Sequence, residues 1–371
     1  MRVFLAGTSF KPAYGGPALS VARLGSALAV AGVTVGLWSA DGSVSAIPDL
    51  ADTSGLNRLE GGLAAALRAF GRMDLIHDNG LWLPHNHQLA VLAGHRGVPR
   101  LVSTRGMLEP WALAHKRWKK RLAWALYQRH DLCRATCHHV TSTLEGEHLR
   151  GLGLAVPIRV APNGVDVPAA APGPALARMA GGSAGGQRVA LFLGRLYPVK
   201  GLPMLIDAWA QVRPAGWCLR ILGPDEAGHR RQLEERITEQ GLAGWVSLVG
   251  AVYGAQKASA YGDADLFVLP SYSESFGMAV GEALAHAVPV LTTTAVPWPE
   301  LAARDCGWRV EPSVAGLAAG LRVATALEPG VLADMGQRGR AWVTAELAWA
   351  TQSRRMLEIY AAMLGQGTVA R

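Results

Sequence analysis

Two short stretches of this 371-residue chain place charged and hydroxyl-bearing side chains where a phosphate and a polyol can be held. The first runs Leu191-Phe192-Leu193-Gly194-Arg195-Leu196-Tyr197-Pro198-Val199-Lys200-Gly201. A strand-like apolar run ends at Gly194, and Arg195 and Lys200 follow in the loop before a helical pattern. Two cations beside free backbone N–H groups make a phosphate clamp, although the same residues also suit an ordinary surface loop. The second runs Pro270-Ser271-Tyr272-Ser273-Glu274-Ser275-Phe276-Gly277-Met278, then a helical pattern containing Glu282. Gly277 permits close approach to a helix N-terminus, whose N–H groups and dipole favour phosphate. Carboxylates at Glu274 and Glu282 can accept hydrogen bonds from sugar hydroxyls. More plainly, Glu274 is a favourable charge at a helix start, worth ~0.3–1 kcal/mol, and Glu282 a solvated helix face. Glu282, however, lies in the apolar run Met278 to Val290, and a charge there is rarely buried without a partner.

A third stretch is basic. Trp111 to Tyr127 contains Lys116, Arg117, Trp118, Lys119, Lys120 and Arg121, five cations in six residues. At 100° per residue Trp111, Ala114, Trp118, Leu122, Ala125 and Leu126 share one arc. The expected arrangement docks that arc inward and turns the cations and Trp124 towards anionic headgroups, each cation being worth ~1 kcal/mol near such a surface. An ordinary helix packed on its own sheet is the alternative. His85 and His87, near Asn79 and Trp82, suit either acceptor contact or a surface loop. Cys133 and Cys137, followed by His138 and His139, stand at i, i+4 in a helical pattern with no second pair at zinc spacing, so core packing is favoured over metal.

The elements that must position these residues alternate. Arg2–Gly7, Val33–Trp38, Asp74–His77 and Arg100–Ser103 read as strands, separated by helical patterns at Gly16–Ala31, Gly61–Phe70, His87–His95 and Trp111–Leu132. Val167 to Gln187, rich in Ala, Gly and Pro, reads as a flexible linker. The pattern restarts with strands at Val189–Leu193, Trp217–Leu222, Val246–Leu248, Leu266–Leu269 and Val288–Thr292. Such alternation predicts two doubly wound α/β units with parallel sheets, in which ligands bind beyond the carboxyl ends of the strands. Half the residues are hydrophobic and 17% charged, which excludes a disordered chain, a coiled coil and a collagen-like fibre. The net charge of +8 sits wholly in residues 1–165, with 18 basic and 10 acidic side chains against 18 and 18 in residues 166–371. An anionic partner for the first half follows. No run approaches the ~20 apolar residues of a membrane span, and the opening is too short for a secretory leader, so a soluble cytoplasmic protein is expected.

Three motifs in order, Pro162-Asn163-Gly164-Val165-Asp166, Gly194-Arg195 to Lys200-Gly201, and the E-x7-E of Glu274 to Glu282 after Phe267-Val268-Leu269-Pro270, closely resemble the retaining family-4 glycosyltransferases of the GT-B fold. The resemblance covers nearly the whole chain. It implies an N-terminal acceptor domain (1–165), with a C-terminal helix of about 350–371 packing back onto it, and a C-terminal nucleotide-sugar domain (166–349), the two facing a cleft. It further implies that Arg195 and Lys200 grip the diphosphate, Glu274 the donor sugar and Glu282 the ribose, with the backbone of Phe276, Gly277 and Met278 helping. Gly15-Gly16 resembles the family's N-domain glycine loop. Arg195, Lys200 and Glu274 are thereby the catalytic set, with no metal or cofactor expected.

Departures appear in the N-terminal half. Arg105 stands where many relatives place a histidine, and His77-Asp78-Asn79-Gly80 replaces a His-x-His-Gly. Arg105, His77 and Asn79 are candidate acceptor or phosphate contacts. Thr104-Arg105-Gly106-Met107-Leu108-Glu109-Pro110-Trp111 resembles a subset acting in bacterial surface-polysaccharide assembly, which implies a hexosyl transfer from a nucleotide diphosphate sugar to a lipid-linked saccharide on the inner face of the cell membrane. A sugar-nucleotide epimerase shares the architecture but fits the E-x7-E setting poorly. A nucleic-acid-binding protein would need a reading module or stacking platform the chain lacks. A retaining glycosidase needs carboxyls ~5–5.5 Å apart, which Glu274 and Glu282 need not satisfy.

Overall fold

The computed structural model describes residues 1–11, 14–47, 53–115, 117–169, 186–226 and 228–365. The chain divides into two compact units, Met1–Gly164 with the helix Trp349–Met363, and Val165–Ala348. Lys116, residues 170–185 of the expected linker and residues 366–371 of the expected C-terminal helix lie outside the described residues.

The first unit is a seven-stranded sheet of β1 (Arg2–Gly7), β2 (Thr34–Ser39), β3 (Leu56–Leu59), β4 (Leu75–Asn79), β5 (Arg100–Ser103), β6 (Cys137–Val140) and β7 (Ile158–Val160), in the order 3-2-1-4-5-6-7. Every pairing is parallel. A parallel sheet is covered on both faces, so its central strands are apolar throughout, and successive side chains feed opposite cores. In β1, Val3 and Leu5 join Val21, Leu24 and Leu28 of the helix Gly16–Val30 on one face. Phe4 and Ala6 join Trp38, Phe70 and Leu89 on the other. The first of these cores is completed by Met356, Ile359 and Tyr360 from the helix Trp349–Met363. Gly164 lies flat beneath Trp349, where a β-carbon would come within 2.2 Å of the indole.

The second unit is a six-stranded parallel sheet of β8 (Arg188–Leu193), β9 (Trp217–Leu222), β10 (Val246–Val249), β11 (Leu266–Leu269), β12 (Val290–Thr293) and β13 (Gly307–Val310), ordered 10-9-8-11-12-13. One large core surrounds it, with Trp209, Trp217, Tyr261 and Phe267 fully buried.

In each sheet the strand order reverses once, between β1 and β4 and between β8 and β11. The crevice past the carboxyl ends of the strands at such a switch point is where doubly wound sheets bind ligands. Four loops therefore matter: those after β1, β4, β8 and β11. Cys133 and Cys137 do not share a helix as the spacing predicts. The helix Arg129–Cys133 ends at the first, and the second opens β6, so Cys137 is buried and Cys133 exposed.

Candidate functional site

In the second unit, the loop after β8 turns through a short 3-10 segment, Pro198–Lys200. Gly201 follows at φ +66° and caps the helix Leu202–Val212. The loop after β11 passes beside it. Tyr272 N–H donates to the Val199 carbonyl at 2.8 Å, and a β-carbon on Gly201 would lie 2.2 Å from the Pro270 oxygen. Only glycine fits both the left-handed backbone and this approach. Gly201→Ala is expected to destabilise the protein by about 2 kcal/mol or more through strain and loop displacement; chemical denaturation at matched m-value checks this, and an unchanged midpoint would contradict it.

The two loops bring Lys200 and Glu274 together. Lys200 Nζ donates to Glu274 Oε1 at 2.5 Å, and Ser271 Oγ donates to the same oxygen at 2.7 Å. Both charged side chains are mostly buried, 16% and 13% exposed, so their partnership is only weakly screened. Arg195 points elsewhere, to Glu226 Oε2 at 2.6 Å, in a pair that is 38% and 41% exposed. Exposed pairs of this kind hold by no more than ~1 kcal/mol and open readily to a stronger anion.

Gly277, at φ +79°, caps the helix Met278–Ala285. Phe276 is buried against Trp298, whose indole N–H donates to the Phe276 carbonyl at 2.5 Å. Two turns on, Glu282 is no solvated helix residue. Oε1 accepts from Lys257 Nζ at 2.6 Å and Oε2 from the Tyr261 hydroxyl at 2.9 Å. Burial and the adjacent carboxylate push the Tyr261 phenol well above its usual range, keeping it a hydrogen-bond donor. Its ring stacks on His286 at 4.9 Å. A carboxylate accepts about four hydrogen bonds, so each oxygen retains capacity for a hydroxyl. Lys257, Tyr261, Glu226 and Trp298 are unsignalled in the sequence, because each meets its partner from a separate element.

The first unit offers a second crevice. Gly15, at φ +84°, caps the helix Gly16–Val30, with Gly16 as its first residue. The loop after β1, the end of β4 and the turn after β5 meet there, through Thr8, Phe10, Tyr14, Asn79, Gly80, Arg105 and Met107. Arg105 is buried in a left-handed conformation at φ +50°. Its Nε and Nη2 donate to Asn79 Oδ1 at 3.1 and 2.8 Å, and its Nη1 to Asn163 Oδ1 at 2.6 Å. Asn79 is anchored in turn, its Nδ2 donating to the Ala6 carbonyl at 3.1 Å. Among the described residues no carboxylate lies within 4.0 Å of this guanidinium, and burial lowers it to about 10, still charged near neutrality. Its hydrogen bonds go to amide oxygens and Glu145 acts on it through space, so this buried guanidinium has the chemistry to take an anion.

His77 is placed differently from Arg105 and Asn79. It is wholly buried and belongs to a chain of hydrogen bonds, Tyr360–His77–Ser103–His139–Ala161, with links of 2.6, 2.6, 2.6 and 2.8 Å. Burial drives both imidazoles below the usual range, His139 to about 3. With both neutral, every proton has one position. His139 Nε2–H must donate to the Ala161 carbonyl, so its Nδ1 accepts from Ser103; Ser103 accepts from His77 Nε2–H, and His77 Nδ1 accepts from Tyr360. The chain fastens the C-terminal helix to β4, β5 and β6. His85 is likewise buried, edge-on to Trp38, while His87 is partly exposed and bonds Asp131 at 2.8 Å.

The basic stretch departs from its expected packing. It is broken into helices Pro110–Ala114 and Arg117–Ala123, a π-helical turn Trp124–Gln128, and the helix Arg129–Cys133. The apolar arc does not dock inward: Trp118, Leu122 and Leu126 are 68%, 55% and 71% exposed. Trp124 faces inward instead, 6.3 Å from Trp82. The inward contacts are made by Lys120, Trp124, Tyr127 and Gln128, because the latter two find backbone partners at Trp82. A projection at 100° per residue cannot foresee a π turn.

Residues 15–164 match the glycosyl transferase 4-like domain and residues 187–325 the glycosyl transferases group 1 family. Among similar curated proteins, the D-inositol 3-phosphate glycosyltransferase of Segniliparus rotundus is 33% identical over 61% of this chain and 52% of its own length. That of Nocardia farcinica is 37% identical over 36% and 32%. The matches thus span between 26% and 59% of the length of the similar curated proteins. Anabaena HepE, solved in complex with UDP and glucose, superposes with a TM-score of 0.77 at 20% identity, over 98% of this chain and 100% of that one. Two parallel, switch-pointed sheets and two consecutive family matches lead to one conclusion: the chain carries the two Rossmann-like domains of a family-4-like glycosyltransferase on the GT-B fold.

Proposed function

We propose that the protein transfers a hexose from a nucleotide diphosphate sugar to a saccharide acceptor, with retention of configuration and without a metal. The observation that carries this reading is the meeting of Lys200 and Glu274 at the β8/β11 switch point, beside a glycine-capped helix start. Lys200 and Arg195 take the diphosphate, whose negative charge grows as the sugar–oxygen bond breaks. Glu274, aligned by Ser271 and Lys200, takes a hydroxyl of the departing sugar. Glu282, backed by Lys257 and Tyr261, takes the ribose hydroxyls. The acceptor oxygen attacks on the face the diphosphate leaves, and its proton passes to a diphosphate oxygen. Gly15 and Gly16 supply backbone N–H groups towards the diphosphate, and Arg105 with Asn79 meets the acceptor or a phosphate.

The acceptor in this reading is lipid-linked and belongs to surface-polysaccharide assembly. Exposed Trp118, Leu122 and Leu126, flanked by Arg117, Lys119 and Arg121, support a peripheral membrane contact. Among the described residues no helix is long and apolar enough to cross a membrane. A second reading is a phosphorylated polyol acceptor, favoured by the names of the curated relatives.

Thermal shift against UDP-, GDP- and ADP-sugars tests the donor half. One of them is expected to raise the Tm of the wild type by several degrees and that of Glu282→Ala by much less, consistent with a site occupied well above its Kd. Equal stabilisation of both proteins would remove Glu282 from the ribose; no shift with any donor would sink the transferase reading.

A further inference from the structure

The first unit holds a cavity of about 270 Å³, apart from the Arg105 crevice, lined by Trp82, Leu113, Arg117, Lys120, Arg121, Trp124 and Leu152. It sits beyond β4 and β5, whose following segments supply all of its lining residues but Leu152. Three of the lining side chains are cations and none is a carboxylate. Two indoles stand in its wall, 6.3 Å apart and inclined at 44°, with Lys120 Nζ 5.8 Å over the Trp82 ring and donating to the Ala112 carbonyl.

The backbone is strained to build this wall. Trp82 lies at φ +76°, a region that bulky residues enter only under constraint. Two side chains impose the constraint: Gln128 Oε1 accepts from Trp82 N–H, and the Tyr127 hydroxyl donates to the Trp82 carbonyl, both at 2.8 Å. Both come from the π turn, which also delivers Trp124. The Trp82 indole N–H is buried and has no acceptor among the described residues. A left-handed tryptophan is a strained conformation, and π turns gather at functional sites. Trp82, Leu113, Trp124 and Leu152 pack at the edge of a core of Leu81, Val102, Leu108, Leu132 and Leu149, and beside the three cations they leave an open hollow.

We infer that this hollow binds the phosphate-bearing sugar of the acceptor: the indoles take the apolar face of one sugar ring, and Arg117, Lys120 and Arg121 take its phosphate. The inference deepens the acceptor half of the reading above and rests on it for the acceptor being a saccharide. The recognition chemistry is specific. Guanidinium forks match phosphate oxygens in pairs, and aromatic faces offer stacking area at small entropic cost. About 270 Å³, just below the size of drug-sized sites, admits one ring with its phosphate. Among the described residues no carboxylate lies within 4.0 Å of Arg117 or Arg121 to compete for them.

The test is equilibrium binding of three probes, with the full chain, followed by calorimetry or tryptophan fluorescence. The probes are a soluble hexose 1-phosphate, phosphatidylcholine vesicles carrying a polyprenyl-diphosphate-linked hexose, and the methyl glycoside of the same hexose. At least one phosphorylated probe is expected to bind tenfold or more tightly than the methyl glycoside. Arg117→Ala/Arg121→Ala and Trp124→Ala should each lose at least tenfold of that affinity while keeping the far-UV spectrum and the nucleotide-sugar thermal shift. Preference for the vesicle probe assigns a lipid-borne phosphate, and equal affinity for the soluble one a free sugar phosphate; both uphold the site. Affinity within twofold of wild type in the arginine variant, whose replaced side chains are exposed and foldable without loss, overturns it. So does equal binding of the methyl glycoside. Donor binding is read separately, so failure here leaves the transferase reading standing.

Discussion

Replacing Lys200 with alanine is expected to lower kcat by about 10²–10³-fold, the usual cost of deleting one preorganised donor aimed at developing negative charge. Lys200 is fixed at the end of a 3-10 turn, sealed by Gly201, and held at 2.5 Å from Glu274 with 16% of its side chain exposed. A cation so placed needs little reorganisation when charge flows onto the diphosphate. Glu274→Ala is expected to cost a comparable factor, and the double variant much less than the product, since the two side chains touch and fail together. Steady-state and single-turnover kinetics on the three variants check this. A kcat within threefold of wild type for Lys200→Ala would remove it from the catalytic set.

Mild acid is expected to unfold the first unit before the second. His77, His85, His138 and His139 are all buried there, and burial holds each below its ordinary value: His85 and His138 at about 4, His139 at about 3 and His77 well down. An unfolded chain takes up these protons near pH 6.5, whereas the native one refuses them until much lower. Stability contributed by the neutral histidines is therefore present above pH 6.5 and is lost as pH falls. Asp78 opposes this. Buried beside Arg100 at 3.2 Å, its carboxyl is raised by burial to about 6, so the native state takes that proton first. Glu109, buried and likewise raised by burial, opposes as well, so four histidine protons stand against two carboxyl protons and the balance still favours the unfolded chain as pH falls. Domains hold together by only roughly 5–15 kcal/mol in all, so that balance matters. In the second unit His286 alone is lowered. Hydrogen exchange at pH 7 and pH 5, corrected for intrinsic rates, should show β4–β6 deprotected while β8–β12 remain protected. Retained protection throughout, or earlier loss in the second unit, contradicts the assignment.

The alternation of apolar runs with helical ones made the fold class legible, and so did the loops after β8 and β11, because a strand end followed by Arg, Lys, Ser, Glu and Gly is a local signal. What was illegible is non-local or short. β3, β6, β7 and β13 have three or four residues each and include Asn, His, Trp and Arg, so their pairing partners and not their composition make them strands. Lys257 reaches Glu282 across 25 residues and Tyr360 reaches His77 across 283, distances over which periodicity carries no information. The basic stretch misled for a different reason. A helical projection assigns the apolar arc inward by default, while the π turn and its two bonds to Trp82 decide otherwise. The partner expected for a buried Glu282 is present, as Lys257 and a tyrosine hydroxyl.

The helix Trp349–Met363 supplies Met356, Ile359 and Tyr360 to a core whose other walls are made before residue 165. On a ribosome, then, the N-terminal unit is the first begun and the last finished. Until Val165–Ala348 has been translated, Leu24, Leu28 and their neighbours lack a cover, and His77 Nδ1 lacks its proton donor. The second unit carries its whole core within its own span and can fold while the first waits. The core of the first unit is thus closed by residues made only after the whole of the second.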